Sequence, residues 1–153
     1  MAGFVRADGV DIDDDADRLD LVEIHRFLSG ESYWARDRDR ATTTRLVRGA
    51  TRVVGAYHAG DMIGFARCLS DEVTVAWIGD VFVAAAFRGR GIGHDVVAHL
   101  IEGSTFSHVR WLLGTADAHS FYAKLGFGPP SPRIIERPRR HGDPPGPGGD
   151  GPG

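Results

Sequence analysis

The sequence predicts a mixed α/β fold, a single domain built on one central sheet with helices packed against it. Three observations lead there. The chain has 153 residues, room for one ordinary domain and too few for two. Its middle holds three consecutive segments of strand character. Directly after them, from Gly91, the apolar spacing changes to that of a helix, and a further strand and helix follow. Apolar residues make up 42% of the chain and charged residues 25%. A chain of this length buries about 68–70% of its unfolded surface, so the core needs no covalent or metal staple.

Each element has its own warrant. Residues 4–6 form a candidate opening strand. The acidic run 8–20 (DGVDIDDDADRLD) leads into a helix. There Asp20 and Glu23 have the spacing of a capping box, and Leu19 and Ile24 occupy the two staple positions. Leu21, Ile24 and Leu28 make one apolar stripe, and Gly30 can close the helix. Residues 35–49 (ARDRDRATTTRLVRG) predict a short surface helix bounded by Asp37 and Gly49, its arginines on an exposed face. The strands TRVVGAYH (51–58) and DMIGFARCL (61–69) flank Ala59 and Gly60 as a hairpin. TVAWIGDVFV (74–83) is a third strand, rich in β-branched and aromatic residues. Ile92, Val96, Val97, Leu100 and Ile101 then share a helical face, with Asp95 and His99 opposite them as a solvated pair. VRWLLGTA (109–116) is a fourth strong strand, and 117–125 a short helix ended by Gly126. Ten of the last 13 residues, 141–153, are Gly or Pro and none is apolar, which predicts a disordered tail after a domain of 1–140.

Composition excludes several function classes. The single cysteine, Cys68, forbids an internal disulfide framework or a multi-cysteine metal site, and no metal is expected. The net charge is −3, acidic over residues 1–31 and basic over 32–52, which argues against a dedicated nucleic-acid partner. No apolar run approaches the 18 residues or so of a membrane span, and the first residues lack an apolar signal core, so a cytoplasmic protein without a membrane partner is expected.

The stretch VFVAAAFRGRGIG (81–93) runs from a strand through a small loop into a helix start. Gly89, Gly91 and Gly93 let backbone approach a ligand closely. The unpaired N–H groups of the first helical turn, with the positive end of the helix dipole behind them, then face that ligand. Arg88 and Arg90 add two charges. Together these form an anion cradle suited to phosphate or pyrophosphate. A Walker loop is excluded because no Gly-Lys pair exists, and a dinucleotide fingerprint because His94 stands at the third glycine.

Downstream lies ADAHSFYAKLGFGPP (116–130). A strand, the loop Arg88/Gly91/Gly93, a helix, a strand, and then Ala118, Tyr122, Gly126 and Phe127 resemble the GCN5-related N-acetyltransferase (GNAT) family. The likeness covers about residues 4–130. IHRFLSGESYW (24–34), GDVFV and DAHSFYAKLGF are similar to its small single-domain members. The resemblance implies a strand that bulges and splays from its neighbour to open a coenzyme A cleft. Val81, Phe82 and Val83 would meet the pantetheine arm through their backbone, and Arg88, Gly89, Arg90, Gly91, Ile92 and Gly93 would hold the pyrophosphate of acetyl-CoA. Tyr122 matches the tyrosine that protonates the departing thiolate, although on a short helix it also suits a core. Thr115 stands where many relatives have Asn.

The implied activity is direct acetyl transfer from acetyl-CoA to a primary amine in a ternary complex, the acceptor being a small molecule. A lysine-like amine is almost wholly protonated at pH 7, and neutralising it costs about 4–5 kcal/mol. The site therefore needs a base or a means of lowering that pKa. Asp80, immediately before Val81, matches an acid of some small-amine members and is the candidate base or amine anchor; its structural alternative is a carboxylate paired with an arginine. A bulge N–H near Val83 is the candidate donor to the oxyanion. Tyr33 and Trp34, between the first two helices, are the candidate acceptor contacts. Alternatives are a coenzyme-A-binding regulatory module without transfer, and a protein N-terminal or lysine acetyltransferase. Family members often dimerise, which carries the expectation of a homodimer.

Overall fold

The computed structural model describes residues 3–140; the predicted tail at 141–153 lies outside the described residues. Six strands form one sheet in sequential order: β1 (Phe4–Val5), β2 (Asp11–Asp13), β3 (Arg52–His58), β4 (Asp61–Ser70), β5 (Val75–Val83) and β6 (Arg110–Leu112). All neighbours are antiparallel except β5 and β6, which run parallel. The helices are α1 (Leu21–Gly30), α2 (Arg40–Arg48), α3 (Ile92–Glu102) and α4 (His119–Ala123).

Local chemistry explains the boundaries. The Asp20 side chain accepts from the Glu23 N–H at 3.0 Å and caps α1, while the Glu23 carboxylate turns to Arg26 instead of completing the box. Asp39 caps α2 in the same way through the Thr42 N–H, so that helix begins at Arg40, three residues after the expected boundary. Ala59 and Gly60 both have positive φ, 50° and 86°, the two-residue turn that matches the twist of a hairpin, with His58 opposite Asp61.

Two apolar cores lie on the two faces of the sheet. One packs α3 and α4 through Val96, Leu100, Ile92 and Tyr122 against Ile12, Val54 and Ile78. The other packs α1 and α2 through Ile24, Phe27, Leu28 and Val47 against Phe65 and Phe82. Cys68 lies in the first core, and burial pushes its thiol up to about 11.

Two expectations need correction. The strand predicted over 109–116 pairs with β5 only at Arg110–Leu112. Asp95 and His99 are not a solvated pair: Asp95 joins Arg6, and His99 is buried with its ring edge-on to Phe4 at 5.7 Å. The second arises because the Phe4–Val5 strand and the Arg6 that follows it lie against α3, a contact invisible to periodicity.

Candidate active site

The site begins with an irregularity in β5. Phe65 pairs with Phe82 but Arg67 pairs with Gly79, so Asp80 and Val81 oppose Ala66 alone. This is a β-bulge, and Asp80 sits in it with φ of 56°, a left-handed conformation that aspartate tolerates better than most residues. On its other side β5 pairs with β6 only as far as Trp77, opposite Leu112. Residues 78–83 therefore have no strand on that edge among the described residues. The two parallel strands part there, as expected, and a cleft opens.

That cleft has a volume of about 550 Å3 and runs from Val81, Phe82 and Val83 to Arg88, Gly89, Gly91, Ile92 and Gly93. Gly89 and Gly91 have φ of 78° and 79°; Gly91 is the N-cap of α3, a backbone geometry that glycine adopts without strain. No side chain caps α3, so its first-turn N–H groups remain directed at the cleft mouth. A Cβ on Gly93 would lie 3.4 Å from Val83 and 3.5 Å from Phe121, so the helix start closes tightly on both walls.

Arg88 turns back, its Nε donating to the Val83 carbonyl at 3.0 Å, so its guanidinium borders the cleft. Arg90 stacks over the Phe87 ring at 5.2 Å and is exposed, outside the cleft lining. Its carbonyl is instead a brace: Arg6 Nη2 donates to it at 2.7 Å while Arg6 Nη1 binds the Asp95 carboxylate in the first turn of α3. Sequence reasoning missed Arg6, because its partners lie 84 and 89 residues away. It also missed the far wall, where Asp117, Ser120, Phe121 and Lys124 line the cleft. The only lysine of the chain, spaced four from Ser120 on one helical face, was a readable signal for it.

Tyr122 lies beneath this wall. It is 2% exposed, and its ring meets Phe121 and Phe127 edge-on at 4.9 and 5.8 Å. It is part of the core and does not line the cleft, yet its hydroxyl has no hydrogen-bond partner among the described residues. Burial, with a smaller contribution from Tyr33, raises its pKa far above the ordinary value. Its hydroxyl is protonated at every physiological pH.

Asp80 is brought into a different arrangement. Its Oδ1 accepts from Arg38 Nη1 at 2.6 Å and from Trp34 Nε1 at 3.1 Å, and its Oδ2 from Arg67 Nε at 2.7 Å. All three charged side chains are buried. Burial by itself would push the Asp80 carboxyl up; the Arg67 and Arg38 guanidiniums more than offset that and hold it below its usual value. A carboxylate with both oxygens engaged and a lowered proton affinity is poorly fitted to take a proton. Its geometry favours anchoring. Residues 31–39 carry Trp34 and Arg38 to the bulge, and also Tyr33, whose hydroxyl accepts from the Ala116 N–H at 3.4 Å beyond the end of β6. Tyr33 and Trp34, in edge contact at 5.1 Å, thus sit together at the parting of the strands.

Among the described residues no three His, Cys, Asp or Glu side chains gather as a metal site, and no helix is long and apolar enough to cross a membrane.

Comparison with known proteins agrees with this geometry. Residues 18–127 match the model of the acetyltransferase (GNAT) family. The chain is 34% identical to a protein of that family from Xanthomonas campestris pv. campestris, whose crystal structure superposes with a TM-score of 0.78 over 85% of this chain and 93% of that one. A crystal structure from Deinococcus radiodurans, 23% identical, shares the fold with a TM-score of 0.68 over 90% of this chain and 94% of that one. An uncharacterized N-acetyltransferase ycf52-like protein of Prochlorococcus marinus is 29% identical over 114 residues, 71% of this chain and 63% of that protein. The Pyropia yezoensis ycf52 protein is 38% identical over 68 residues, 43% of this chain and 39% of its own length. The chain thus spans less than two-thirds of these N-acetyltransferase relatives. A bulged strand, a parting strand pair, a glycine loop on a helix start and a family match over most of the chain converge: this protein belongs to the GNAT acetyltransferase family.

Proposed function

We propose that the protein transfers an acetyl group from acetyl-CoA to the primary amine of a small molecule, both substrates being bound at once. The observation that carries this reading is the cleft at residues 78–83, open along one strand edge and ended by the first turn of α3. A pantetheine arm is a chain of amides, and an unpaired strand edge offers it donors and acceptors at peptide spacing. The glycine loop and α3 start suit its pyrophosphate, with Arg88 and Lys124 as neighbouring cations.

Acetyl transfer forms an N–C bond and breaks the thioester C–S bond, so the departing sulfur needs a proton. Tyr122 is the candidate donor. Its neutral hydroxyl is buried without a partner, an arrangement that costs about 1–3 kcal/mol and is seldom kept without use. Tyr33 and Trp34 are proposed to face the acceptor, and Asp80 to fix Trp34 and the 31–39 segment rather than to act as base. The amine then passes its proton to water.

Thiol release from acetyl-CoA, measured over a panel of small amines, tests this. Tyr122→Phe is expected to lower kcat by about 100-fold while leaving coenzyme A affinity unchanged. Turnover in the variant at the wild-type rate would remove Tyr122 from the chemistry. Coenzyme A binding without turnover of any amine, peptide amines included, would leave a cofactor-binding module.

A further inference from the structure

We propose that the buried cluster of Arg38, Asp80 and Arg67 recognises a carboxylate on the acceptor, so that the amine acetylated belongs to an amino-acid-like molecule. This rests on the transfer reading above and names its substrate class. One carboxylate stands between two guanidiniums, and all three side chains are shielded from solvent. The cluster therefore carries one positive charge more than it neutralises. Both Asp80 oxygens are in use, yet Nε and Nη2 of Arg38 and Nη1 and Nη2 of Arg67 have no hydrogen-bond partner among the described residues. Unpaired guanidinium nitrogens in a buried position call for an acceptor, because a buried charge is tolerated only when paired and hydrogen-bonded.

A planar anion with two oxygens fits the edge of a guanidinium. Charge selects among such anions. A monocarboxylate brings the cluster to neutrality, whereas a phosphate dianion overshoots it. Glycine at 79 belongs to the same arrangement, since a Cβ there would lie 3.1 Å from Arg67 Nη2. The location is also apt. Arg38 and Trp34 lie on the 31–39 segment that presents Tyr33 at the parting of β5 and β6, and Asp80 ties that segment to the sheet. Those nitrogens are closed off from solvent in this structure, so the proposal requires the 31–39 segment to move for a carboxylate to reach them. The hollow of about 590 Å3 between α2 and β3 offers no comparable case, being lined by Arg48 and Arg52 with Asp14 and Asp17.

The test uses the full chain and matched pairs of amines, each amino acid against its own amide, in two measurements: thiol release from acetyl-CoA, and quenching of Trp34 fluorescence in a Trp77→Phe/Trp111→Phe background. The acids are expected to exceed their amides at least tenfold in kcat/KM. Arg67→Gln, which leaves Arg38 and Asp80 as a neutral pair, should abolish that preference by raising KM for the acids to that of the amides, with coenzyme A affinity kept, and Arg38→Gln should do the same. Saturable Trp34 quenching by acids and not amides supports the assignment even if neither variant folds or no pair is turned over; in the latter case the transfer reading alone fails. Equal use of acids and amides, equal loss of both in the variants, preference for a phosphorylated amine, or no quenching by any acid would overturn it.

Discussion

Asp80 shows most plainly how much a single residue's surroundings decide. As a letter in the sequence it fits a catalytic base; in the fold it is a carboxylate fixed between two arginines and a tryptophan. Removing its charge leaves two buried guanidiniums uncompensated, so Asp80→Asn is expected to destabilise the protein by about 3–5 kcal/mol, measured as a shift in the denaturant midpoint. The pH dependence has a definite sign. Asp80's folded pKa is depressed, so the unfolded chain takes up the proton first, and the stability it contributes is present above its ordinary pKa of 3.8 and lost as pH falls below that value. Acid titration of wild type and variant should show a stability difference that is full near neutrality and shrinks below about pH 4; a difference independent of pH would contradict the ion-pair account. The partners were not legible in the sequence. Arg38 sits in a segment whose arginines predict an exposed helix face, and Arg67 in a strand of ordinary alternation. Arginine burial depends on which charge the fold brings opposite, and here that charge comes from 42 and 13 residues away.

Among the elements, those set by local chemistry were readable and those set by distant pairing were not. The capping of α1 by Asp20, the Ala59 and Gly60 turn, and the change of period at Gly91 all act within a few residues, and each holds in the fold. β2, with three residues on an acidic run, is held by pairing with β1 and β3 on its two sides, and the fourth predicted strand shortens to Arg110–Leu112 because β5 turns away at its bulge. The glycine loop joins both cases: its glycines announced it, but its brace, Arg6, did not. Gly91 at φ 79° is expected to resist any side chain, and Gly91→Ala should cost about 1–2 kcal/mol of stability and weaken coenzyme A binding together. Arg6→Ala should loosen the loop with a smaller effect on stability, seen as weaker coenzyme A affinity in the same titration.

At the scale of the whole molecule, one sheet holds two cores apart and lets their edges meet at a single gap. The α3 and α4 face supplies the glycine loop, Phe121 and Tyr122; the α1 and α2 face supplies Tyr33, Trp34 and Arg38. The gap between β5 and β6 is where both reach, so ligand binding there draws on the whole fold and should stabilise it. Coenzyme A at 100 times its dissociation constant is expected to add about 2.7 kcal/mol to unfolding free energy, read as a rise in Tm. The measurement that goes to the central claim is a calorimetric titration of coenzyme A into wild type and Gly93→Val. Gly93 lies within 3.4–3.5 Å of both cleft walls once given a Cβ, and the further methyls of valine occupy the space proposed for the ligand. One saturable site in wild type, weakened at least tenfold in a variant that melts normally, is the result this structure predicts. No binding by wild type, or equal affinity in the folded variant, would show that the cleft between β5 and β6 is not the coenzyme A site.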